Sequence, residues 1–232
     1  MSEPVCWRIL EDGAHEPAEN MARDEAMLQL APEIGSPILR TYQWARPAAT
    51  FGYGQAIGSI KQSTEVRPLI RRSTGGGLVI HQSGWTYSFV APHGEGWTRL
   101  RGEESYRLMH RWIAAAFGFL GIHATLTDSA PPADLSRHEC FRRPERHDLL
   151  CDGRKLAGAA QRRSRKGLLI QGAIQNPPAE ADPQAWLRAM METGAAIFNL
   201  SWSPYAPTPA FNQLATELVN SRFGNPAYLE KR

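Results

Sequence analysis

The 232-residue sequence has few cysteines and no long apolar run, and each shortage excludes a class of protein. Its three cysteines are odd in number, and a chain of this size does not need disulfide staples, so we expect a reducing compartment. No segment approaches the roughly 20 apolar residues of a membrane-spanning helix. The start, MSEPVCWRIL, has an early glutamate and no basic region before an apolar stretch, unlike a secretory signal. These features predict a cytoplasmic protein without a membrane partner.

Low-complexity tracts, internal repeats and the charge excess of a disordered chain are also lacking. Hydrophobic residues make up 42% and charged residues 21%, with seven Trp and eight Phe, which is typical of a chain that folds by itself. The net charge of +3 is too small to indicate a polyanion partner. At this length one domain buries a large core, so we expect a single domain over residues 1–232.

Apolar patterning predicts helices over 17–30 and 103–120, the second ended by Gly121. Predicted strands fall at 5–10, 38–44, 48–53, 77–81, 85–90, 147–151, 155–160 and 168–175. The turns at 82–84 and 152–153 predict two hairpins, and Thr208 with the following proline predicts a last helix that closes at Gly224. Runs of strands with interspersed helices indicate an α+β fold with a mostly antiparallel or mixed sheet.

Asp24 and Glu25 are adjacent on the predicted first helix. Because adjacent helical residues diverge by about 100°, the two carboxylates do not form an acid–base pair. Glu25 is in line with Met21 and Leu28, and we interpret it as a buried structural acid.

The stretch RRSTGGGLVIH, residues 71–81, joins two arginines, three glycines and a histidine. Glycine permits a positive φ and a close approach of ligand to backbone, and successive N–H groups form a cradle for an anion or a developing oxyanion. Arg71 and Arg72 add charged donors on one side, and His81 adds a polar group on the other. A flexible turn is the alternative for the glycines alone. The flanking polar residues favour a ligand site.

Lys155 follows the second predicted hairpin turn and precedes small or apolar residues at 156–160. Small side chains leave room for a ligand beside the lysine. A partly desolvated lysine readily loses its proton or stabilises a carbonyl oxygen. An edge-strand lysine that faces water is the alternative interpretation.

Cys140 lies in the predicted loop RHECFRRPERHD with Arg137, Arg142 and Arg143 close in sequence. Cationic neighbours lower the pKa of a thiol and make it a better nucleophile. Cys140 is therefore the candidate nucleophile. Cys151 is the weaker candidate because its predicted strand position indicates packing.

Zinc and nucleic acid are rival ligands for this basic region. His138, Cys140, His147 and Cys151 lack the short paired spacing of zinc ligands, and the last two would lie about 13 Å apart on one strand. The basic run RKLAGAAQRRSRK contains no aromatic residue, which argues against single-stranded nucleic acid and favours an acidic protein partner. We predict no metal site and no nucleic-acid partner.

Taken in order, these stretches resemble the lipoate-protein ligase A and octanoyltransferase family, relatives of biotin protein ligases. The matching stretches cover most of residues 7–175 and are ENMARDEAML, YQWARPAATFGYGQ, RRSTGGGLVIHQSGWTYSFV, HDLLCDGRKLAGAAQRR and GLLIQGAI. The resemblance implies a central sheet flanked by helices, as in the catalytic domain of class II aminoacyl-tRNA synthetases and biotin ligases. It also implies an octanoyl or lipoyl group attached to a lysine of a small acidic lipoyl domain.

The resemblance assigns roles to individual residues. The substrate-binding residues it implies are Arg71, Arg72, Thr74, Gly75, Gly76, Gly77, His81, Gly158 and Ala159. Lys155 corresponds to the lysine that contacts the acyl carbonyl. Cys140, which Phe141 follows, is similar to the acyl-carrying cysteine of one transferase branch.

The family divides by how the acyl group is activated. Transferases take it from acyl carrier protein through an acyl-cysteine and need no cofactor, whereas ligases use ATP and Mg and usually carry a C-terminal accessory domain. Only about sixty residues follow Gly172, which leaves little room for that domain. We therefore expect a transferase with acyl carrier protein as donor and lipoyl domains or a glycine-cleavage H-type protein as acceptor. An ATP-dependent ligase is the alternative, followed by a non-catalytic acyl or lipoyl-domain binder.

Overall fold

A computed structural model describes residues 4–128 and 144–231. The strands in these ranges are β1 (Val5–His15), β2 (Ile38–Trp44), β3 (Ala48–Phe51), β4 (Leu69–Arg71), β5 (Val79–His81), β6 (Trp85–Pro92), β7 (Thr125–Leu126), β8 (Leu149–Cys151), β9 (Arg154–Arg163), β10 (Gly167–Ile174) and β11 (Leu200–Pro204). The helices are α1 (Pro17–Gln29), α2 (Ala31–Ile34), α3 (Ile57–Ser63), α4 (Gly96–Arg99), α5 (Gly102–Phe119), α6 (Pro183–Phe198), α7 (Pro209–Leu218) and α8 (Pro226–Leu229), with a π-helical turn at Val219–Phe223.

Within the described residues the strands form one large and one small sheet. The large sheet has the order β11-β1-β2-β6-β10-β9-β8-β7, and the small one has the order β4-β3-β5. In the large sheet β1 is parallel to both of its neighbours, and the other pairs are antiparallel. In the small sheet β3 is parallel to β4 and antiparallel to β5. The predicted α+β class with a mixed sheet is confirmed.

Helices cover both faces of the large sheet because its central strands are apolar on both sides. Along β10, Leu168 and Ile170 pack into the core beneath α5 and α6, whereas Leu169 packs into the core beneath α1 and α7. This alternation follows from the two-residue period of a strand. Each such side chain contributes about 1.5–3 kcal/mol when it is fully buried. Packing on both faces therefore holds the central strands in place.

Most predicted elements lie within a few residues of their predicted bounds. The helix predicted over 103–120 is α5, and Gly121 follows it at a φ of 76°. The Asp152-Gly153 hairpin joins β8 to β9, with φ angles of 49° and 71° that suit a tight two-residue turn. The hydroxyl of Thr208 accepts a hydrogen bond from the backbone N–H of Phe211 and caps α7 as predicted.

The predicted hairpin around residues 82–84 is wrong. β5 pairs with β3 in the small sheet, and β6 lies between β2 and β10 in the large one. The turn, in which Gly84 has a φ of 92°, instead carries the chain from one sheet to the other. Seven of the eight β6 residues are buried, as is typical of a central strand that is covered on both faces and paired along both edges.

The strand predicted to begin at His147 begins at Leu149 instead. His147 has a φ of 69°, in the left-handed region, and its backbone therefore cannot continue a strand. Among the elements that were not predicted are α6 and the strand β11 that follows it. Asp182 caps α6 by accepting a hydrogen bond from the backbone N–H of Ala185 at 2.7 Å.

Candidate functional site

A cleft that contains about 630 Å³ of empty space, including solvent at its mouth, is lined by residues from both sheets, from α1 and from α5. The predicted site residues that line it are Arg72, Gly76, Gly77, His81, Lys155, Gly158 and Ala159. Arg71, Thr74 and Gly75 do not line it, and Cys140 lies outside the described residues. The cleft therefore brings together the glycine loop and the lysine strand.

Lys155 lies in the wall of this cleft with its ammonium held by a carboxylate. Its Nζ is 2.6 Å from Oδ2 of Asp148, and the two side chains are 7% and 0% exposed. The predicted alternative of an edge-strand lysine facing water is wrong. A positive group so placed can stabilise negative charge that develops on a substrate carbonyl.

Asp148 accepts hydrogen bonds from two further donors. The hydroxyl of Tyr106 donates to Oδ1, and the backbone N–H of Glu145 donates to Oδ2 at 2.6 Å. Burial and the charge of Asp148 raise the pKa of Tyr106, so the phenol keeps its proton. The same hydroxyl accepts a hydrogen bond from the backbone N–H of Ala159 at 3.2 Å. The carboxylate of Asp148 thus binds both Lys155 and Tyr106, and Tyr106 in turn binds the β9 backbone.

The glycine loop is held by Arg72. One terminal nitrogen of its guanidinium donates to the carbonyls of Gly75 and Gly77, at 2.9 and 2.8 Å, and the other donates to the hydroxyl of Thr50 at 2.7 Å. Gly76 has a φ of 79°, which favours glycine. A Cβ at Gly52 would collide with the carbonyl oxygen of Gly76, so the loop also depends on a glycine outside the triplet.

His81 forms another part of the cleft wall. Its ring stacks on Trp44 at a centroid distance of 4.0 Å, and its Nε2 is 2.9 Å from the hydroxyl of Thr50. Burial and the nearby charge of Arg72 lower the pKa of His81 to about 3. The hydroxyl of Thr50 also accepts a hydrogen bond from Arg72, so Thr50 links the neutral imidazole to the arginine that holds the glycine loop.

Arg71 points away from the cleft, contrary to the expectation that it lines the acyl site. Its guanidinium donates to the backbone carbonyls of Tyr53, Gln55, Tyr228 and Leu229 at 2.7–3.2 Å. Burial lowers the pKa of Arg71. The residue ties the C-terminal helix α8 to the turn after β3, so the adjacent Arg71 and Arg72 have different roles.

Thr74 belongs to a buried network behind the cleft. Its hydroxyl donates to Oε1 of Gln171 at 2.7 Å, and Nε2 of Gln171 donates to Asp24 at 2.7 Å. Asp24 also accepts from Arg40 and Ser88, each at 2.6 Å. This network fixes α1 and the glycine loop to the large sheet, since every removed partner would leave a buried polar group unsatisfied.

Glu25 is a buried structural acid, as predicted. Its carboxylate is 3.0 Å from both Arg162 on β9 and Arg222 in the π-helical turn. Arg163, another member of the basic run, donates to the carbonyl of Thr98 and to the hydroxyl of Ser105. Arg162 and Arg163 hold elements of the fold together. The exposed basic residues of that run are Arg154, Arg163, Arg165 and Lys166.

Cys151 packs against the core beneath α5 and α6, which agrees with its interpretation as a packing residue. Burial, with the negative charge of Asp152, raises the pKa of its thiol. A thiol so placed is a poor nucleophile. Across residues 4–128 and 144–231 no group of three or more His, Cys, Asp or Glu side chains is arranged to hold a metal ion.

A ligand-binding α+β domain with a lysine–carboxylate pair in its cleft is the class of protein that this fold and site define. The family model described as the lipoyl protein ligase A/B catalytic domain matches residues 16–177, and the chain belongs to that family. The resemblance to the lipoate-protein ligase A and octanoyltransferase family is thereby confirmed.

Two relatives illustrate the similarity in sequence. Octanoyltransferase LipM of Carboxydothermus hydrogenoformans is 37% identical over 175 residues, which is 72% of this chain and 64% of the relative. Octanoyltransferase LipM of Staphylococcus aureus is 30% identical over 180 residues, covering 72% of this chain and 65% of the relative. The matched region therefore spans less than two thirds of the length of these relatives.

Solved structures share the fold at low sequence identity. A lipoate-protein ligase A bound with ATP has a TM-score of 0.78 and 18% identity, with 99% of each chain covered. A bi-partite lipoate protein ligase from Thermoplasma acidophilum, described with its E2 lipoyl domain, has a TM-score of 0.69 and 17% identity, covering 100% of this chain and 98% of that structure.

No described helix is long and apolar enough to cross a membrane.

Proposed function

We propose that this chain transfers an octanoyl group from acyl carrier protein to a lysine of a lipoyl domain. The observation that carries the proposal is the position of Lys155. It lies on β9 in the wall of the cleft, and the glycine loop lines the same cleft. The relatives named octanoyltransferases support the choice of acyl group. The ammonium and the glycine-loop amides supply the positive field that a tetrahedral oxyanion needs.

The first step uses Cys140 as the nucleophile, on the strength of its sequence context. Its thiolate attacks the thioester carbonyl of the octanoyl carrier protein, and a carbon–sulfur bond forms as the carbonyl oxygen becomes an oxyanion. Lys155 and the loop amides stabilise that oxyanion. When the intermediate collapses, the carrier thiolate leaves and takes up the proton that Cys140 released.

In the second step the acceptor lysine, as the free amine, attacks the acyl-cysteine. An amide bond forms, the bond to Cys140 breaks, and the amine's proton passes to the departing thiolate or to water. The lipoyl domain leaves with its octanoyl group, and the enzyme returns to its starting state. Gly158 and Ala159 in the cleft leave room for the acyl chain beside Lys155.

The donor in this proposal is acyl carrier protein, and the acceptor is a lipoyl domain or a glycine-cleavage H-type protein in the cytoplasm. The reaction needs neither ATP nor Mg, because a thioester already activates the acyl group. ATP-dependent ligation is the competing function.

The test measures octanoylation of a purified lipoyl domain by mass spectrometry. One sample contains octanoyl carrier protein without nucleotide, and the other contains octanoate, ATP and Mg. The proposal predicts product in the first sample only. Product that forms only in the second would establish a ligase, and absence of product in both, with tight lipoyl-domain binding, would establish a binder.

A further inference from the structure

We infer that Asp148 is a positioning residue that fixes the ammonium of Lys155 at the acyl carbonyl, an inference that rests on the proposed transferase. The carboxylate has no exposed surface, and the lysine side chain is 7% exposed. The 2.6 Å separation of Nζ and Oδ2 is that of a charge-assisted hydrogen bond. Asp148 lies behind the lysine as seen from the cleft, since Lys155 lines the cleft and Asp148 does not.

Asp148 is the fixed member of the pair because its backbone and both of its carboxylate oxygens are held. Its N–H donates to the carbonyl of Glu145 and its carbonyl accepts from Thr127, both at 2.9 Å. The hydroxyl of Tyr106 and the N–H of Glu145 orient the carboxylate. A lysine side chain, by contrast, has four rotatable bonds and loses its conformational freedom only where a partner holds it.

The strand geometry explains how the two residues meet. The tight turn pairs Cys151 with Arg154 and Leu150 with Lys155, but a bulge then pairs Leu149 with Ala157. The bulge moves Asp148 one position further along β9, to Gly158. A Cβ at Gly158 would lie 3.3 Å from Oδ1 of Asp148 and 2.9 Å from Nζ of Lys155. The bulge and the glycine together open the path by which the lysine reaches the carboxylate.

Other ionisable groups near the pair do not supply the same function. His110 lies edge-on to Tyr106 at 4.3 Å between centroids, and burial lowers its pKa to about 4, so it is neutral at physiological pH. Tyr106 keeps its proton. Within the described residues Asp148 is therefore the buried anion that faces Lys155.

The experiment compares the wild-type chain with Asp148→Asn and a matched control, Glu25→Gln, by steady-state octanoyl transfer. Asparagine keeps the shape but presents an N–H₂ group or a neutral oxygen to the lysine. We expect kcat to fall at least about tenfold and KM for octanoyl carrier protein to be nearly unchanged. A fall of this size is expected when a reacting group is misplaced by a fraction of an ångström. Glu25→Gln removes a buried carboxylate that contacts Arg162 and Arg222, and we expect lower stability with unchanged kcat.

A second readout does not depend on activity. The chain has four lysines, Lys61, Lys155, Lys166 and Lys231, and the side chain of Lys155 is the buried one. Its ammonium is expected to give a slowly exchanging ¹⁵Nζ signal that Lys155→Arg assigns and Asp148→Asn abolishes. If wild type shows the signal but transfers nothing, the proposed function fails while the pairing stands.

Two results would overturn the inference. One is Asp148→Asn with wild-type kcat. The other is a protected lysine signal that persists in that variant. Should Asp148→Asn not fold, Asp148→Glu keeps the charge but moves it by one methylene. The inference then predicts a protected signal with lowered kcat, and wild-type kcat in Asp148→Glu contradicts it.

Discussion

Gly158 lies so close to Lys155 that a Cβ at position 158 would be 2.7 Å from Cε of the lysine. Since carbon atoms pack at about 3.5–4.0 Å, Gly158→Ala must displace the lysine from Asp148. We expect octanoyl transfer to fall about tenfold or more, because the displaced ammonium no longer faces the carbonyl. Initial rates and melting temperatures of the purified variant measure the effect.

Gly118→Ala on α5 is the matched control. No heavy atom lies within 4 Å of a Cβ built there, and the residue is exposed in the last turn of the helix. This substitution should raise the free energy of unfolding by at most about 0.5–1 kcal/mol, the value for a helix interior, and leave transfer unchanged. If both alanine variants retain full activity, crowding at Lys155 is not the reason that position 158 is glycine.

The adjacent arginines of the glycine stretch give opposite predictions. A lysine at position 72 lacks the two separated nitrogens with which Arg72 binds the hydroxyl of Thr50 and two loop carbonyls, so Arg72→Lys should loosen the cleft wall and reduce transfer. Arg71→Lys should instead lower the free energy of unfolding by about 2–3 kcal/mol, because buried carbonyls lose their donor, with kcat nearly unchanged. Urea unfolding beside steady-state kinetics separates the two. Equal kinetic losses would contradict the assignment of Arg71 to the C-terminal helix.

His81 makes stability depend on pH in the acid range. The pKa of its imidazole is about 3 in the folded chain against an ordinary value of 6.5. Between these values the unfolded chain binds a proton that the folded chain does not, so this contribution is complete above pH 6.5 and is lost as the pH falls toward 3. The slope is at most about 1.4 kcal/mol per pH unit.

An NMR titration of the His81 ring tests this directly. Its signals should not move between pH 7 and pH 4.5, and His81→Gln should flatten the dependence of stability on pH over that range. A ring that titrates with a midpoint near 6.5 is incompatible with the buried, neutral imidazole described above.

The fold could be predicted from the sequence where a local signal determines an element. The apolar spacing of α5, the Asp152-Gly153 turn and the cap at Thr208 each depend on a few neighbouring residues. The pairing of β5 and β6 could not be predicted, because a glycine turn looks the same whether it joins partners or transfers the chain between sheets. The alternation of apolar residues does not reveal which sheet a strand joins.

For the site, the sequence indicated the glycine loop and Lys155 but not their supports. No local pattern in the sequence marks Asp148, although the register of the Asp-Gly hairpin places it close to Lys155 and could have identified it. Tyr106 and Thr50 come from distant segments and show no local signal. Arg71 was misassigned because two adjacent arginines look equivalent in sequence, whereas consecutive side chains of an extended backbone point to opposite sides.

The measurement that tests the central claim most directly is the intact mass of the protein after incubation with octanoyl carrier protein, in the wild type and in Cys140→Ser. The account predicts one octanoyl adduct in the wild type, removed by hydroxylamine as a thioester is, and no adduct in the variant. An adduct that persists in Cys140→Ser, or octanoyl transfer by that variant at the wild-type rate, would contradict the acyl-cysteine mechanism.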